Sequence, residues 1–140
     1  MLKIVFEKDF KGLKRCKISK FLELAGEAIS PPSPILINIV SKQTIETVNN
    51  KYMGRRGATD VISFRYDDKD ILGEIYISPY IVKRNAKRFK QRFCIELYRV
   101  IIHGILHVLG YNHSKKMFAL QEKILDNVIN KLSSNTHELR

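Results

Sequence analysis

Two cysteines in 140 residues, at positions 16 and 94, are too few and too far apart in sequence to suggest a disulfide framework. Cys16 and Cys94 are therefore expected to stay reduced and to serve as packing residues. No apolar run reaches the roughly 18 residues that a membrane-spanning helix needs. The segment from Met1 to Arg15 alternates apolar and charged residues and lacks the hydrophobic stretch of a signal peptide. These absences predict a cytoplasmic protein without a membrane partner.

Acidic residues are also scarce. Fourteen Asp and Glu stand against 25 Lys and Arg, leaving a formal net charge of +11. Polyanions are the natural partners of such a chain, because each phosphate neutralised by Lys or Arg releases condensed counterions. Two clusters carry much of the excess: Lys8, Lys11, Lys14, Arg15, Lys17 and Lys20 near the start, and Lys83, Arg84, Lys87, Arg88, Lys90 and Arg92 further on. One such run is ordinarily a solvated helix face, but two runs with this net charge favour nucleic acid. No strongly amphipathic helix with an exposed aromatic or leucine face is evident, so a membrane surface fits less well. The length predicts one domain, residues 1–140, and the composition, 44% hydrophobic and 28% charged, is that of a globular protein.

Histidine is rare too, yet three of the four stand together in His103-Gly104-Ile105-Leu106-His107-Val108-Leu109-Gly110-Tyr111-Asn112-His113. Given one histidine, composition alone puts others at both further offsets with a probability of about (4/140)², on the order of one in a thousand. The spacing reads as a metal site. Side chains at i and i+4 share a helix face, so His103 and His107 can converge on one ion. Gly110 tolerates the left-handed conformation that ends a helix and turns the chain back, bringing His113 to the same ion. Three protein nitrogens leave a fourth position open, the arrangement of catalytic zinc, whereas structural zinc is normally closed by four protein ligands. Cys94, nine residues before His103, is half a turn out of phase with it and faces elsewhere. His137, alone in a polar tail, reads as a solvated surface residue.

Zinc proteases of the H-E-x-x-H type carry a glutamate after the first histidine as general base. That place is Gly104 here, which disfavours peptide hydrolysis.

The hydrophobic pattern predicts strands at residues 2–6, 35–40, 61–64 and 74–77. It predicts helices from Ile18 to Ile29, over 43–51 behind a Ser41 cap, from Ser78-Pro79 through the second basic cluster, along the histidine segment, and from Ser114 onward. Tyr52 to Ala58 reads as a loop carrying Arg55 and Arg56, and Ser133 to Arg140 as a mobile tail. The order implies an α+β fold in which a buried helix presents the histidines. Asp60 and Ser63 lie on or beside a strand bordering the cleft, where turn capping and solvent exposure are equally good readings. Glu74 either orients a ligand histidine or sits on a sheet surface.

Thr59-Asp60-Val61-Ile62-Ser63-Phe64, Leu72-Gly73-Glu74-Ile75 and Gly110-Tyr111-Asn112-His113, in that order and spacing, resemble the bacterial YbeY family of endoribonucleases and rRNA maturation factors. The similarity runs from about Val48 to Glu122. The resemblance implies a small mixed β-sheet packed against several helices, related to the zinc-dependent metalloprotease fold. It implies one metal ion, usually zinc, held by His103, His107 and His113. It also implies single-strand-specific RNA cleavage in 16S ribosomal RNA 3′-end maturation and ribosome quality control, with the 16S precursor and the small ribosomal subunit as partners. The chain departs from the family at Tyr52-Met53-Gly54, where the family has Tyr-Arg-Gly, and at Asn112, where it has Asp. Arg55 or Arg56 is the substitute candidate for the missing arginine.

Two rivals stand beside this reading: a zinc metalloprotease, and a non-catalytic ribosome-associated factor whose metal is structural. Three imidazoles also suit other divalent metals.

Overall fold

The computed structural model describes residues 1–66 and 68–135, so Asp67, His137 and the rest of the tail beyond Asn135 lie outside the described residues. Four strands, β1 (Leu2–Phe6), β2 (Ile35–Ile39), β3 (Val61–Arg65) and β4 (Gly73–Ile77), form one mixed sheet in the order β1-β2-β4-β3. β1, β2 and β4 run parallel, and β3 pairs antiparallel to β4 at the edge. The helices are α1 (Ile18–Ile29), α2 (Lys42–Met53), α3 (Pro79–Arg88), α4 (Phe93–Val108) and α5 (Lys115–Asn135), with a short 3-10 turn at Leu13–Cys16. This is the α+β architecture expected. None of the described helices is long and apolar enough to cross a membrane.

Strand alternation assigns the two sheet faces. Ile35, Ile37 and Ile39 of β2 and Ile75 and Ile77 of β4 are fully buried in the main core with α1, α4 and α5. The opposite face, through Ile62, Phe64 and Tyr76, packs on Val40, Ile45 and Val48 beneath α2. No position of α4 is exposed, and its polar residues Glu96, Arg99, His103 and His107 are confined to one stripe of an otherwise apolar helix. It lies across β3 and β4 and between α3 and α5. Side chains on α4 are therefore held by packing on several sides, which suits it to present a site.

Local chemistry sets the helix ends. Ser41 accepts a hydrogen bond from Thr44 N and caps α2, and Ser114 does the same for Met117 N at the start of α5. α2 runs two residues past the expected end, taking in Tyr52 and Met53 before Gly54 closes it in the left-handed region. Ser133, expected to begin the tail, still belongs to α5.

The cysteines require a correction. Cys16 and Cys94 are not reduced packing residues but form a disulfide, with Cα atoms 5.1 Å apart across a sequence separation of 78. Distance along the chain says nothing of distance in the fold. The 3-10 turn ending at Cys16 packs against the first turn of α4, and the half-turn offset of Cys94 from His103 aims it there. Cys16 is also fully buried, so its packing role holds alongside the bond.

Candidate metal centre

His103 and His107 lie on one face of the last two turns of α4. Beyond them Gly110, at φ 100°, turns the chain in the left-handed conformation expected of it, and the Tyr111 and Gly110 amides donate to the Leu106 and His107 carbonyls. Arg65, on β3, reaches under this turn and donates through Nη1 to the Val108 carbonyl at 3.3 Å. The returning segment delivers His113. The three Nε2 atoms then stand 3.0, 3.1 and 3.3 Å from one another.

The protonation pattern makes this convergence informative. Gln121 Nε2 donates to Glu122 Oε2 at 3.2 Å, which leaves Gln121 Oε1 facing His103 Nδ1 at 2.7 Å. An amide oxygen only accepts, so His103 carries its proton on Nδ1 and turns an Nε2 lone pair toward the other rings. The Tyr111 backbone acts on His107 in the direction that raises its pKa. Burial, followed by the neighbouring His103 and His113, outweighs that effect and holds the His107 imidazole below its ordinary pKa. Lone pairs brought this close call for a cation between them. Nitrogens about 2.0–2.1 Å from a tetrahedral zinc sit about 3.4 Å apart, close to the spacing here. The residues thus fit a metal ion. His113 is exposed, so the cluster faces solvent on the side where a fourth ligand would enter. The ring of Phe118, half exposed, lies 5.9 Å from both His103 and His113 and forms an apolar wall.

Gln121 is the residue that sequence reasoning missed. It lies 18 positions beyond His103, on the face of α5 that also carries Leu125, Val128 and Leu132, and is buried. A polar side chain at a core position of an amphipathic helix was the available signal. Behind it Glu122 accepts from Arg99 Nε at 3.0 Å, and Arg99 Nη1 donates to Glu96 at 2.6 Å. Burial raises the Glu122 pKa, but the bonds from Arg99 and Gln121 outweigh it and hold the carboxyl below its usual range. The chain Arg99, Glu122, Gln121, His103 ties α4 to α5 and fixes the ring.

Glu74 does not orient a histidine. Since Gly73, Ile75 and Ile77 face the core beneath α4, Glu74 points to the other side of the sheet, accepting from Asn38 Nδ2 at 3.0 Å and Tyr66 OH at 2.8 Å. Ser63 donates to the Gly104 carbonyl at 3.2 Å, fastening β3 to α4. Asp60 accepts from Thr59 Oγ1 at 3.4 Å. Neither is brought to the histidines by these bonds. Arg55 and Arg56 are exposed, and their guanidinium groups make no hydrogen bond or ion pair among the described residues. Their loop is held at its base by buried Asn49, whose Nδ2 donates to Gly57 O at 3.1 Å and whose carbonyl accepts from Arg55 N.

Gly104 has a structural reason. A Cβ there would lie 2.9 Å from Ile75 Cγ2 and 3.2 Å from Val61 Cγ2, because this side of α4 rests on the sheet. The position that carries the glutamate of H-E-x-x-H proteases is here a packing contact.

Residues 8–129 match the family described as Endoribonuclease YbeY, a span that extends well before Val48. A Thermotoga maritima protein named Endoribonuclease YbeY is 41% identical over 106 residues, covering 71% of each chain. A Thermodesulfovibrio yellowstonii protein of the same name is 37% identical over 123 residues, covering 79% of this chain and 77% of its own. The Thermotoga neapolitana counterpart is 35% identical and covers 96% and 93%. The solution structure of a Thermotoga maritima protein superposes with a TM-score of 0.67 at 35% identity, covering 99% of this chain and 95% of that one.

Proposed function

This chain belongs to the YbeY family, and from that premise we propose that it is a metal-dependent endoribonuclease specific for single strands, with His103, His107 and His113 as the metal ligands. The observation that carries the reading is the meeting of three Nε2 atoms within 3.3 Å, with the His103 ring held by Gln121 so that its lone pair points inward. Zinc is the proposed ion, one per chain. When bound, it supplies Lewis-acid activation of water and neutralisation of phosphate charge. The protein's own contribution is positioning. Gln121 holds the His103 ring, the turn at Gly110 holds His113, and Phe118 limits solvent on one side. Arg55 and Arg56, on the loop anchored by Asn49, are the proposed phosphate contacts, taking the place of the arginine that Met53 replaces. The remaining proposals are that residues 1–140 act as one domain, in the cytoplasm, on precursor 16S ribosomal RNA and the small ribosomal subunit.

Metal-loaded protein is expected to cleave single-stranded RNA and leave unfolded peptides intact, with chelator abolishing cleavage. His107→Ala should remain folded by circular dichroism, lose stoichiometric metal, and cut RNA about 10³-fold more slowly, the several kcal/mol ascribed to a catalytic ion. Unchanged cleavage by His107→Ala would overturn the assignment. Robust peptide hydrolysis with inert RNA would replace it by the protease.

Gln121→Leu removes the acceptor of the His103 Nδ1 proton. Metal affinity, measured by competition with a chromophoric chelator, is expected to fall about 10- to 100-fold. Gln121→Glu, which restores an acceptor, should recover most of it. Equal affinities in all three proteins would deny Gln121 its orienting role.

A further inference from the structure

The two basic clusters, some 70 positions apart in sequence, meet in the fold. Lys8, Lys11 and Arg15 from the first and Lys83 and Arg92 from the second line a single cavity of about 1010 Å³ at the N-terminal end of α4. Nine residues separate Cys94, on its wall, from His103, or about 14 Å along the helix axis, and the two are half a turn out of phase. This cavity is therefore separate from the histidine cluster. No carboxylate is among the described residues that line it. Its cations are interleaved with rings: Lys8 Nζ stands 5.4 Å from the centre of Phe10, and Lys42 Nζ stands 5.7 Å from the centre of Tyr80, with Phe93 on the same lining. Lys42 shares its charge with Glu46 at 3.8 Å. Tyr80 is 60% exposed, a large ring open to solvent apart from the Lys42 side chain over it.

Cations around an apolar, ring-bearing cavity match one chemistry well: phosphates held at the rim with bases against the aromatic faces. A fatty or purely aliphatic anion would leave the spaced cations unused, and an acidic peptide would not need the rings. We propose that this cavity is a second RNA-binding site, which grips the strand away from the scissile bond. The proposal rests on the endoribonuclease reading and adds to it a substrate-length dependence. A strand long enough to occupy both the cavity and the histidine cluster gains affinity that a short one cannot.

The test uses metal-loaded full-length protein and single-stranded RNA of about 20 and about five nucleotides, bracketing the few-nucleotide footprint of a single site. Lys83→Glu/Arg92→Glu is compared with Lys3→Glu/Lys69→Glu, which changes net charge equally at exposed positions outside the cavity. For the long strand the cavity variant should raise KM about tenfold or more at unchanged kcat. Its salt dependence of binding should fall by roughly 1.4 in log-log slope, two phosphate contacts at about 0.7 each. Cleavage of the short strand should be unaffected. Tyr80→Ala, which leaves the charge intact, should weaken long-strand binding about tenfold with little change in salt slope. If the cavity and control variants behave alike while the wild type cleaves both strands, the second site is refuted and the endoribonuclease reading stands. If the wild type neither binds nor cleaves either strand, both fail. If only the binding of a free mononucleotide responds to the cavity variants, the cavity serves a small ligand and the strand-gripping proposal is wrong.

Discussion

Gly104→Glu is expected to abolish the folded protein rather than convert it into a protease. A side chain at 104 must push into Ile75 and Val61 on the face where α4 meets the sheet. Overpacking of this kind costs about 1–3 kcal/mol, and an unpaired carboxylate in an apolar contact adds several more, so a total of about 5 kcal/mol or above is expected. Domains of this size have about 5–15 kcal/mol in all. The measurement is soluble yield followed by chemical denaturation, with Gly104→Ala as the graded companion expected to lose about 1–3 kcal/mol. A Gly104→Glu protein as stable as the wild type would show that the side chain finds another route. If that protein also hydrolysed peptides, the protease reading would return. The loss of the glutamate is thus tied to how closely α4 approaches β3 and β4, and is more than the absence of one catalytic group.

The second large effect concerns the bridge between Cys16 and Cys94. Closing a loop across a separation of 78 removes about 4.5 kcal/mol of chain entropy from the unfolded state in the loop-closure treatment. Reduction should therefore lower the unfolding free energy by up to about that amount, and Cys94→Ser should be equally unstable with or without reductant. Denaturant titrations across a series of glutathione redox ratios measure both the loss and the ratio at which it occurs. If the wild type denatures identically in oxidised and reduced buffer, the bond does not form in solution and the two sulfurs merely pack.

What the sequence made legible was local. His103, His107 and Gly110 could be placed because one helix relates them, and α4 carries the first two where its period requires. Two contacts needed the tertiary fold, one at the site and one at the far end of α4. Gln121 is brought to His103 only by the packing of α5 on α4, and Cys16 to Cys94 only by the 3-10 turn against the start of α4. Glu74 is instructive in the other direction. Alternation along β4, with Gly73, Ile75 and Ile77 inward, already directs it away from α4, and reading the strand's parity would have removed it as a candidate. The basic clusters were visible as charge but not as a place, since nothing in either run reveals that they border one cavity.

His103 and His107 ride on the closing turns of a 16-residue helix, at the pole where aligned peptide dipoles leave partial negative charge. That field welcomes a cation and repels a phosphodiester. Its worth is about 0.3–1 kcal/mol within the last turn, so an ion seated there reverses what the helix end presents to an approaching strand.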